Sequence, residues 1–401
     1  MLTNLFPPVV SGSATQSFGL SRELVKVGLK VVVITTRLDP DTPEHEVVDG
    51  VDIYRIPALR LPKMAISLNF PWLNATFWPA NLRRIQAILE RHEVDVLHVH
   101  NHMFDLAFAA VVMKKRLGLP MVLTLHTVIK HTNRFFNFFL SFFDLFLLKK
   151  TVIENADLII CPDENVREYL ESRFKSDKGS ITPYGIDKPS VPDQETLDRL
   201  RKEHRLEGAR VILSLGHLHA LRDRRDLIHS LPKIVEKHAD VVLVIVGNVM
   251  TSAPRKWVKA LGIEDNVRFV GHQPHDLIPA FFALAEMECH WLNQDDPSKT
   301  SLGIASMEAM RFGKTIIGAV NLNTFGAGHL ESGRNLIIVE PGDPDRLSDH
   351  ICRLLDDPVL CETIAGAAME TAGRLFSWSS VARDTASHYD QLISKGKVKN
   401  S

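Results

Sequence analysis

Cysteine is scarce in this sequence, and neither sign of charge is in excess. The four cysteines form no C-x-x-C pair, which argues against a disulfide framework and against a cysteine zinc site. Free thiols are typical of a reducing cytosol. Basic and acidic residues number 47 and 48. Because a nucleic-acid-binding protein usually carries a basic excess, we expect no nucleic-acid partner.

Long apolar runs are also missing. No stretch reaches the ~18 uninterrupted apolar residues of a membrane-spanning helix. The nearest, 135–148, is interrupted by Asn137, Ser141 and Asp144. The first residues have no basic segment ahead of an apolar core, so no secretory signal is predicted. We therefore expect a cytoplasmic protein that lies, at most, on the inner face of the cytoplasmic membrane.

The dominant pattern is an alternation of short apolar runs with helical periods. In the first half, nearly continuous apolar runs predict parallel strands buried on both faces: Val31–Thr35, Val94–Val99, Met121–Leu125 and Leu158–Cys161. A second series of such runs lies between Val211 and Val339. Two series of strand–helix units predict an α/β fold with two Rossmann-like, doubly wound parallel-sheet domains.

Two segments bear on where these domains begin and end. Proline and charged residues at 188–198 predict the linker between the domains. At the amino end only Met1–Leu5 precedes the first loop and helix, although such domains normally open with a strand. Either that strand is short, or the natural start lies upstream.

Ligands of doubly wound sheets bind beyond the carboxyl ends of the strands. Loops in that position come from both domains, so we expect the ligand in a cleft between the domains. His98, His100 and His102 would share one face of an extended chain. No carboxylate obviously converges on these histidines, so no metal site is predicted.

Short segments in order along the chain resemble the motifs of one enzyme family. They are LFPP at 5–8 with Gly12, PMVLTLH at 120–126, NADLII at 155–160, PYGID at 183–187, SLGHL at 214–218, EAM at 308–310 followed by GK, and EPGD at 340–343. By these segments the chain resembles the retaining glycosyltransferases of family 4, which have the two-domain GT-B fold. The resemblance spans nearly the whole length.

The resemblance implies a domain plan and a reaction. An N-terminal acceptor-binding domain would span 1–188 and a C-terminal sugar-nucleotide-binding domain 189–375. A last helix, 376–401, would return to the N-terminal domain. The reaction would move a sugar from a nucleotide-diphosphate donor to a hydroxyl of a lipid-linked or envelope glycan, with no metal or other cofactor. Two alternatives stay open: a degenerate nucleotide-sugar or glycan-binding protein without turnover, and a nucleotide-sugar epimerase.

The resemblance also names candidate catalytic residues. The family binds the donor diphosphate through an Arg and a Lys, whose positions here hold His217 and Arg222. Arg222 can clasp a phosphate with two hydrogen bonds, and Arg224 and Arg225 are further cations nearby. His126 would contact the transferred sugar. The alternatives are a solvated helix start for the arginines and a satisfied core histidine for His126.

Glu308 matches the second glutamate of the family's motif of two glutamates separated by seven residues, and would bind the donor's ribose hydroxyls. The first glutamate is replaced by Thr300. This departure implies an unusual donor sugar or low activity, unless Asp295 or Asp296 reaches in. The other predicted donor-binding residues are backbone positions in loops or at helix starts: Gly12, Gly216, Gly247, Gly271, Ser301, Leu302 and Gly303.

Aromatic side chains are concentrated in the predicted acceptor domain. One helical face would carry Phe135, Phe138, Phe139, Phe142, Phe143 and Phe146. The loop 60–79 adds four more aromatic residues, including Trp72 and Trp78. Basic residues flank both segments, so they predict a surface that faces an anionic membrane. The alternative is a helix packed in the domain's own core.

Overall fold

The computed structural model describes residues 1–9, 11–60, 74–126, 128, 138, 140–219, 222, 224–290 and 300–399. They form two compact units. The first consists of Met1–Gly185 with Trp378–Ser401, and the second of Ile186–Ser377. Among these residues, no helix is both long enough and apolar enough to cross a membrane.

The first unit is built on an eight-stranded sheet in the order β10-β9-β8-β7-β1-β2-β4-β3. Its strands are β1 (Leu2–Thr3), β2 (Val32–Arg37), β3 (His45–Val48), β4 (Val51–Pro57), β7 (Leu97–His100), β8 (Met121–Thr124), β9 (Leu158–Cys161) and β10 (Gly179–Ile181). All neighbours pair in parallel except β3 and β4. A separate antiparallel pair joins β5 (Leu59–Arg60) and β6 (Asn74–Ala75). The short β1 lies at the centre, between β2 and β7.

Helices cover both faces of this sheet. They are α1 (Gly12–Lys26), α2 (Pro79–Arg91), α3 (Asp105–Leu117), the π-helical α4 (Phe143–Ile153), α5 (Glu164–Phe174) and α13 (Trp378–Lys399). The apolar runs of β1, β7 and β8 are buried against α2 and α3, with Leu97, Val99 and Leu123 fully enclosed. Fully apolar strands form here because both faces of a parallel sheet are covered.

The second unit is built on a six-stranded parallel sheet in the order β13-β12-β11-β14-β15-β16. Its strands are β11 (Arg210–Leu215), β12 (Val241–Val246), β13 (Val267–Gly271), β14 (Ala285–Cys289), β15 (Thr315–Gly318) and β16 (Ile337–Ile338). Its helices are α6 (Gln194–His204), α7 (Arg225–Lys237), α8 (Ala253–Ala260), α9 (Ile278–Leu284), α10 (Ile304–Phe312), α11 (Pro344–Asp356) and α12 (Pro358–Leu375). The prediction of two parallel-sheet α/β domains is confirmed.

Each sheet has one topological switch point. In the first unit β1 lies between β2 and β7, so the chain winds outward from β1 in both directions. In the second unit β11 has the same position, between β12 and β14. A crevice opens beyond the carboxyl ends of such strands, and this is where ligands of open α/β sheets bind.

The last helix of the chain packs on the first helix through one tryptophan. Trp378 fills the space beside Gly19 of α1 and Gly185, where an added Cβ would lie 2.2 and 2.1 Å from its ring. The side chain of Gln16 holds Gly185 in place by donating to its carbonyl and accepting from its amide. Both glycines are therefore required by close packing.

Gly19→Ala should lower the stability of the protein, although alanine is the better helix former. Overpacking against Trp378 should cost ~1–3 kcal/mol, seen as a lower thermal midpoint. The matched control is Gly366→Ala in α12, where an added Cβ meets no atom within 4 Å. That change should raise stability by ~0.5–1 kcal/mol. Equal effects of the two substitutions would contradict the packing argument.

Candidate functional site

The carboxyl ends of β11, β12 and β13 are joined by backbone contacts between glycines. Gly247, after β12, has φ 140°, and an added Cβ would lie 2.4 Å from the Gly216 carbonyl oxygen. Its amide donates to the Gly271 carbonyl oxygen at 2.8 Å. Three predicted donor-binding glycines thus meet at one edge of the sheet. The close approach of backbone to backbone explains why 247 is a glycine.

Arg224 holds the end of β11. Its buried guanidinium donates to Ser214 Oγ at 2.9 Å, to the Leu215 carbonyl at 2.6 Å and to the Gly216 carbonyl at 3.1 Å. A fourth bond, at 2.7 Å, reaches the carbonyl of Arg222. From the sequence, Arg224 was predicted only as a further cation for phosphate. In the structure it is a clamp on the loop that follows the strand.

Cationic and imidazole side chains surround that loop. His217 is exposed and accepts from the Asn248 amide through Nδ1 at 3.1 Å. Its ring centre lies 6.0 Å from that of His272. Burial, then the positive charges of Arg222 and Arg224, lower the pKa of His219. Burial also lowers the pKa of Arg222. His219 was missed in the sequence because its place in the loop matches no motif.

The segment leading into α10 is fixed by hydrogen bonds of its own. The buried Thr300 accepts from the Asn321 amide at 2.9 Å, and Ser301 Oγ from the Thr324 hydroxyl at 3.0 Å. The Gly303 amide donates to His290 Nε2 at 3.1 Å. Gly303 brings no side chain to cap the helix. Among the residues that the structure describes, no N-cap side chain bonds the first-turn amides of α10.

Glu308 lies on α10 at the edge of a pocket. Its Oε1 is 2.9 Å from His275 Nε2, and this hydrogen bond raises the pKa of His275. The pocket has a volume of about 220 Å³ and is also lined by Asp187, Lys188 and the buried Phe282. A carboxylate at the mouth of a pocket of this size is suited to binding hydroxyl groups.

In the first unit, His126 follows the end of β8 by two residues and belongs to a stack of rings. Its Nε2 is 2.9 Å from His100 Nδ1, and its Nδ1 is 3.2 Å from the Tyr184 hydroxyl. His98 stacks on His100 and bonds Thr124 and Tyr389. Burial lowers the pKa of His126 to about 4 and holds those of His98 and His100 well below 6.5. The stack is therefore uncharged at neutral pH.

The third histidine of the alternating set lies apart from this stack. His102 is fully buried with Nε2 at 3.5 Å from Asp144 Oδ1. Among the residues described, no group of three or more ligand-type side chains has the geometry to hold a metal ion.

Gly12 begins α1 after Ser11, whose Oγ caps the helix by accepting from the Ala14 amide at 3.1 Å. An added Cβ at Gly12 would meet no atom within 4 Å.

The phenylalanines around α4 face outward. Phe138 and Phe146 are 68% and 59% exposed, and Phe142 and Phe143 are exposed as well. On the inner side Asp144 is fully buried, accepts from the Tyr169 hydroxyl and lies 3.5 Å from Arg173. The core-packed alternative is therefore wrong for these four rings. Trp78 is half-buried at the start of α2. Phe135, Phe139 and Trp72 lie outside the described residues.

Comparison with known proteins agrees with this architecture. The family model described as Glycosyltransferase Family 4 matches residues 10–188, and Glycosyl transferases group 1 matches 197–371. An uncharacterized glycosyltransferase of Methanocaldococcus jannaschii is 24% identical, covering 97% of each chain. A D-inositol 3-phosphate glycosyltransferase of Kribbella flavida is 26% identical over 92% of this chain and 88% of its own. The crystal structure of Anabaena HepE with UDP superposes with a TM-score of 0.68 at 16% identity, covering 97% and 98%.

Arg224→Met should destabilise the second unit, because the buried carbonyls of Leu215 and Gly216 lose their donor. An unsatisfied buried polar group costs ~1–3 kcal/mol. The matched control is Arg225→Met, one residue along and exposed. We expect it to stay within ~0.5 kcal/mol of the wild type in urea unfolding. A stable Arg224→Met variant would show that the clamp is dispensable.

Proposed function

Because the chain belongs to the family-4 type of glycosyltransferases with the GT-B fold, we propose that it is a retaining, nucleotide-sugar-dependent enzyme. It transfers a sugar from a nucleoside diphosphate to a hydroxyl of a lipid-linked or envelope glycan. The observation that carries the donor part is Glu308 of α10, whose carboxylate lines a pocket together with Asp187, Lys188 and His275. A carboxylate for ribose and a helix start for phosphate are what a nucleoside diphosphate requires.

The known neighbours support a diphosphate donor. Anabaena HepE has been crystallised with UDP and with UDP-glucose. In this chain we infer that Arg222, His217 and the first turn of α10, all in the second unit, bind the diphosphate. Burial and the neighbouring arginines lower the pKa of His219, so that His219 adds a hydrogen bond rather than a full charge at neutral pH. Arg222 and the helix dipole then carry most of the electrostatic stabilisation of the phosphates.

The reaction proposed needs no protein nucleophile. The diphosphate departs, its charge is stabilised by preorganised donors, and the acceptor hydroxyl attacks from the same face of the sugar. Positioning of the two substrates supplies much of the remaining rate enhancement. His126 is held neutral, so its part is a hydrogen bond to a sugar hydroxyl and not a charge. That bond would take the place of the Tyr184 hydroxyl at Nδ1.

The acceptor proposed is carried by a membrane lipid. Four exposed phenylalanines beside Lys149 and Lys150 form an apolar surface with basic flanks. Such a surface binds the interface of an anionic membrane, where each basic residue contributes about 1 kcal/mol. The enzyme would then work at the inner face of the cytoplasmic membrane and draw its donor from the cytosol.

The first test is turnover. With a membrane extract as acceptor, the wild type should release nucleoside diphosphate from at least one of a panel of UDP-, GDP- and ADP-sugars. Glu308→Ala should weaken donor binding by ~1.5–3 kcal/mol, or ~10–150-fold, the range for hydrogen bonds to a charged group. Calorimetry with the accepted nucleotide measures this loss.

The control variant is His275→Ala, which removes the carboxylate's present partner and leaves the carboxylate itself. It should bind the donor at least as well as the wild type. Binding of the nucleotide without release from any sugar nucleotide would favour the binding protein without turnover. Unchanged affinity in folded Glu308→Ala would remove Glu308 from the donor site.

Membrane binding has its own test. The wild type should co-sediment with anionic vesicles, less so at high salt, because the attraction to the surface is screened. The double variant Phe142→Ser/Phe146→Ser should lose this binding and remain folded, since both rings are exposed. The control is Val191→Ser/Val359→Ser, which removes two exposed apolar side chains of the second unit. Equal sedimentation of both double variants would contradict the proposal.

A further inference from the structure

A carboxyl group lies buried at the switch point of the second unit. Glu288 of β14 is 1% exposed and stands opposite Leu213 of β11 and Ile316 of β15. Its neighbours Met287 and Cys289 belong to the apolar cluster that packs on the sheet. A buried ionisable group in a central strand is costly and requires compensating partners. Glu288 has no place in any motif described above.

The partners of Glu288 come from the elements that build the proposed donor site. Ser306, in the first turn of α10, donates its hydroxyl to Oε2 at 2.7 Å. The positive charge of Arg224 and the amide of Leu215 also act on the carboxyl. Glu288 therefore bonds the start of α10 and the end of β11, and it lies within the electrostatic influence of Arg224.

Burial raises the pKa of Glu288 to about 7, and the Ser306 hydrogen bond, Arg224 and the Leu215 amide only partly oppose this. Charged and neutral forms therefore coexist near neutral pH. The charged form offsets the positive charge of Arg224 and the positive end of the α10 dipole. The neutral form leaves the α10 dipole to act on another anion, and its carbonyl oxygen can still accept from Ser306.

We propose that the donor diphosphate binds the form of the protein in which Glu288 is protonated, so that binding takes up a proton at this buried carboxyl. This rests on the proposed function, which places the diphosphate at the first turn of α10. An ionised Glu288 and a diphosphate beside the same helix turn would repel each other. Glu288 can take up a proton, and this removes the repulsion. Glu288 is a positioning residue, because it acts on the donor through α10 and Arg224.

The affinity for the diphosphate should fall as the pH rises. Bound diphosphate raises the Glu288 pKa above its value in the free protein. Between the two values, affinity falls up to tenfold for each unit of rising pH, because the proton must be supplied from solution. Terminal phosphates lose their second proton near pH ~6. The fall above pH ~7 therefore does not come from the nucleotide.

The experiment is calorimetry of UDP, GDP and ADP binding between pH ~7 and ~9, in buffers with different ionisation enthalpies. The wild type should take up as much as one proton, with affinity falling roughly tenfold across this range. Glu288→Gln keeps an acceptor for Ser306 and stays neutral, so it should show neither effect. The matched control is Glu286→Gln, exposed on the same strand, which should behave as the wild type.

Two further variants keep the test decisive. His275 also has a raised pKa, so each measurement is repeated in the His275→Ala background. Should Glu288→Gln fail to fold, Ser306→Ala removes a hydrogen bond that favours the charged form. It should move the fall in affinity to higher pH.

The outcomes separate the two proposals. If a nucleotide binds the wild type without proton uptake, or if Glu288→Gln retains the same pH dependence, the inference is overturned and the proposed function stands. If none of the nucleotides binds the wild type, the proposed donor class fails and the inference fails with it. A carboxyl titration by ¹³C NMR of labelled glutamate, showing Glu288 fully charged at pH ~6, would overturn the inference alone.

Discussion

The close approach of the β11 and β12 ends is the constraint on which the second unit's site depends. Gly247 lets its backbone lie against Gly216, and the carbonyls of Leu215 and Gly216 both accept hydrogen bonds from Arg224. Arg224 enters to satisfy them and is buried in doing so. The charge of Arg224 partly opposes the effect of burial on the pKa of Glu288 and adds to the effect of burial on the pKa of His219. The positive charge of Arg224 is thus present at this end of the sheet without a bound ligand.

The fold was predictable because its signal is spread over many residues. Parallel strands buried on both faces are largely apolar, and each of the four apolar runs from which strands were predicted in the first half overlaps a strand of the sheet. Even β1, with only two residues, keeps its central place because β2 and β7 both pair with it. The roles of single polar residues were harder to predict. Gly247 and Arg224 carry the residue types expected of a phosphate site, yet both are explained by contacts within the protein.

The site residues that the sequence did not reveal are those whose role depends on where a side chain points. Glu288 interrupts an apolar strand, which was a visible signal, but nothing in the sequence showed that Ser306 and Arg224 face it. The segment around α4 has the opposite arrangement to a core helix: Asp144 is buried and the phenylalanines are exposed. Periodicity places residues on common faces, but it does not say which face is inside. The buried bond from Tyr169 to Asp144 decides that question here.

The two departures from the family pattern, at 217 and 300, both change the charge of the proposed donor site. Histidine replaces arginine at 217, and Arg224 is committed to backbone carbonyls, so fewer free cations remain for a diphosphate. Thr300 has a neutral side chain in place of the family's first glutamate. It is buried, and its carbonyl accepts from the Asn321 amide. In the proposed donor site, binding of the diphosphate would then depend mainly on Arg222 and on the dipole of α10. A dipole contributes most where no other anion competes for it. The charge state of the carboxyl beneath that helix therefore matters more in this chain than in one with a full set of cations.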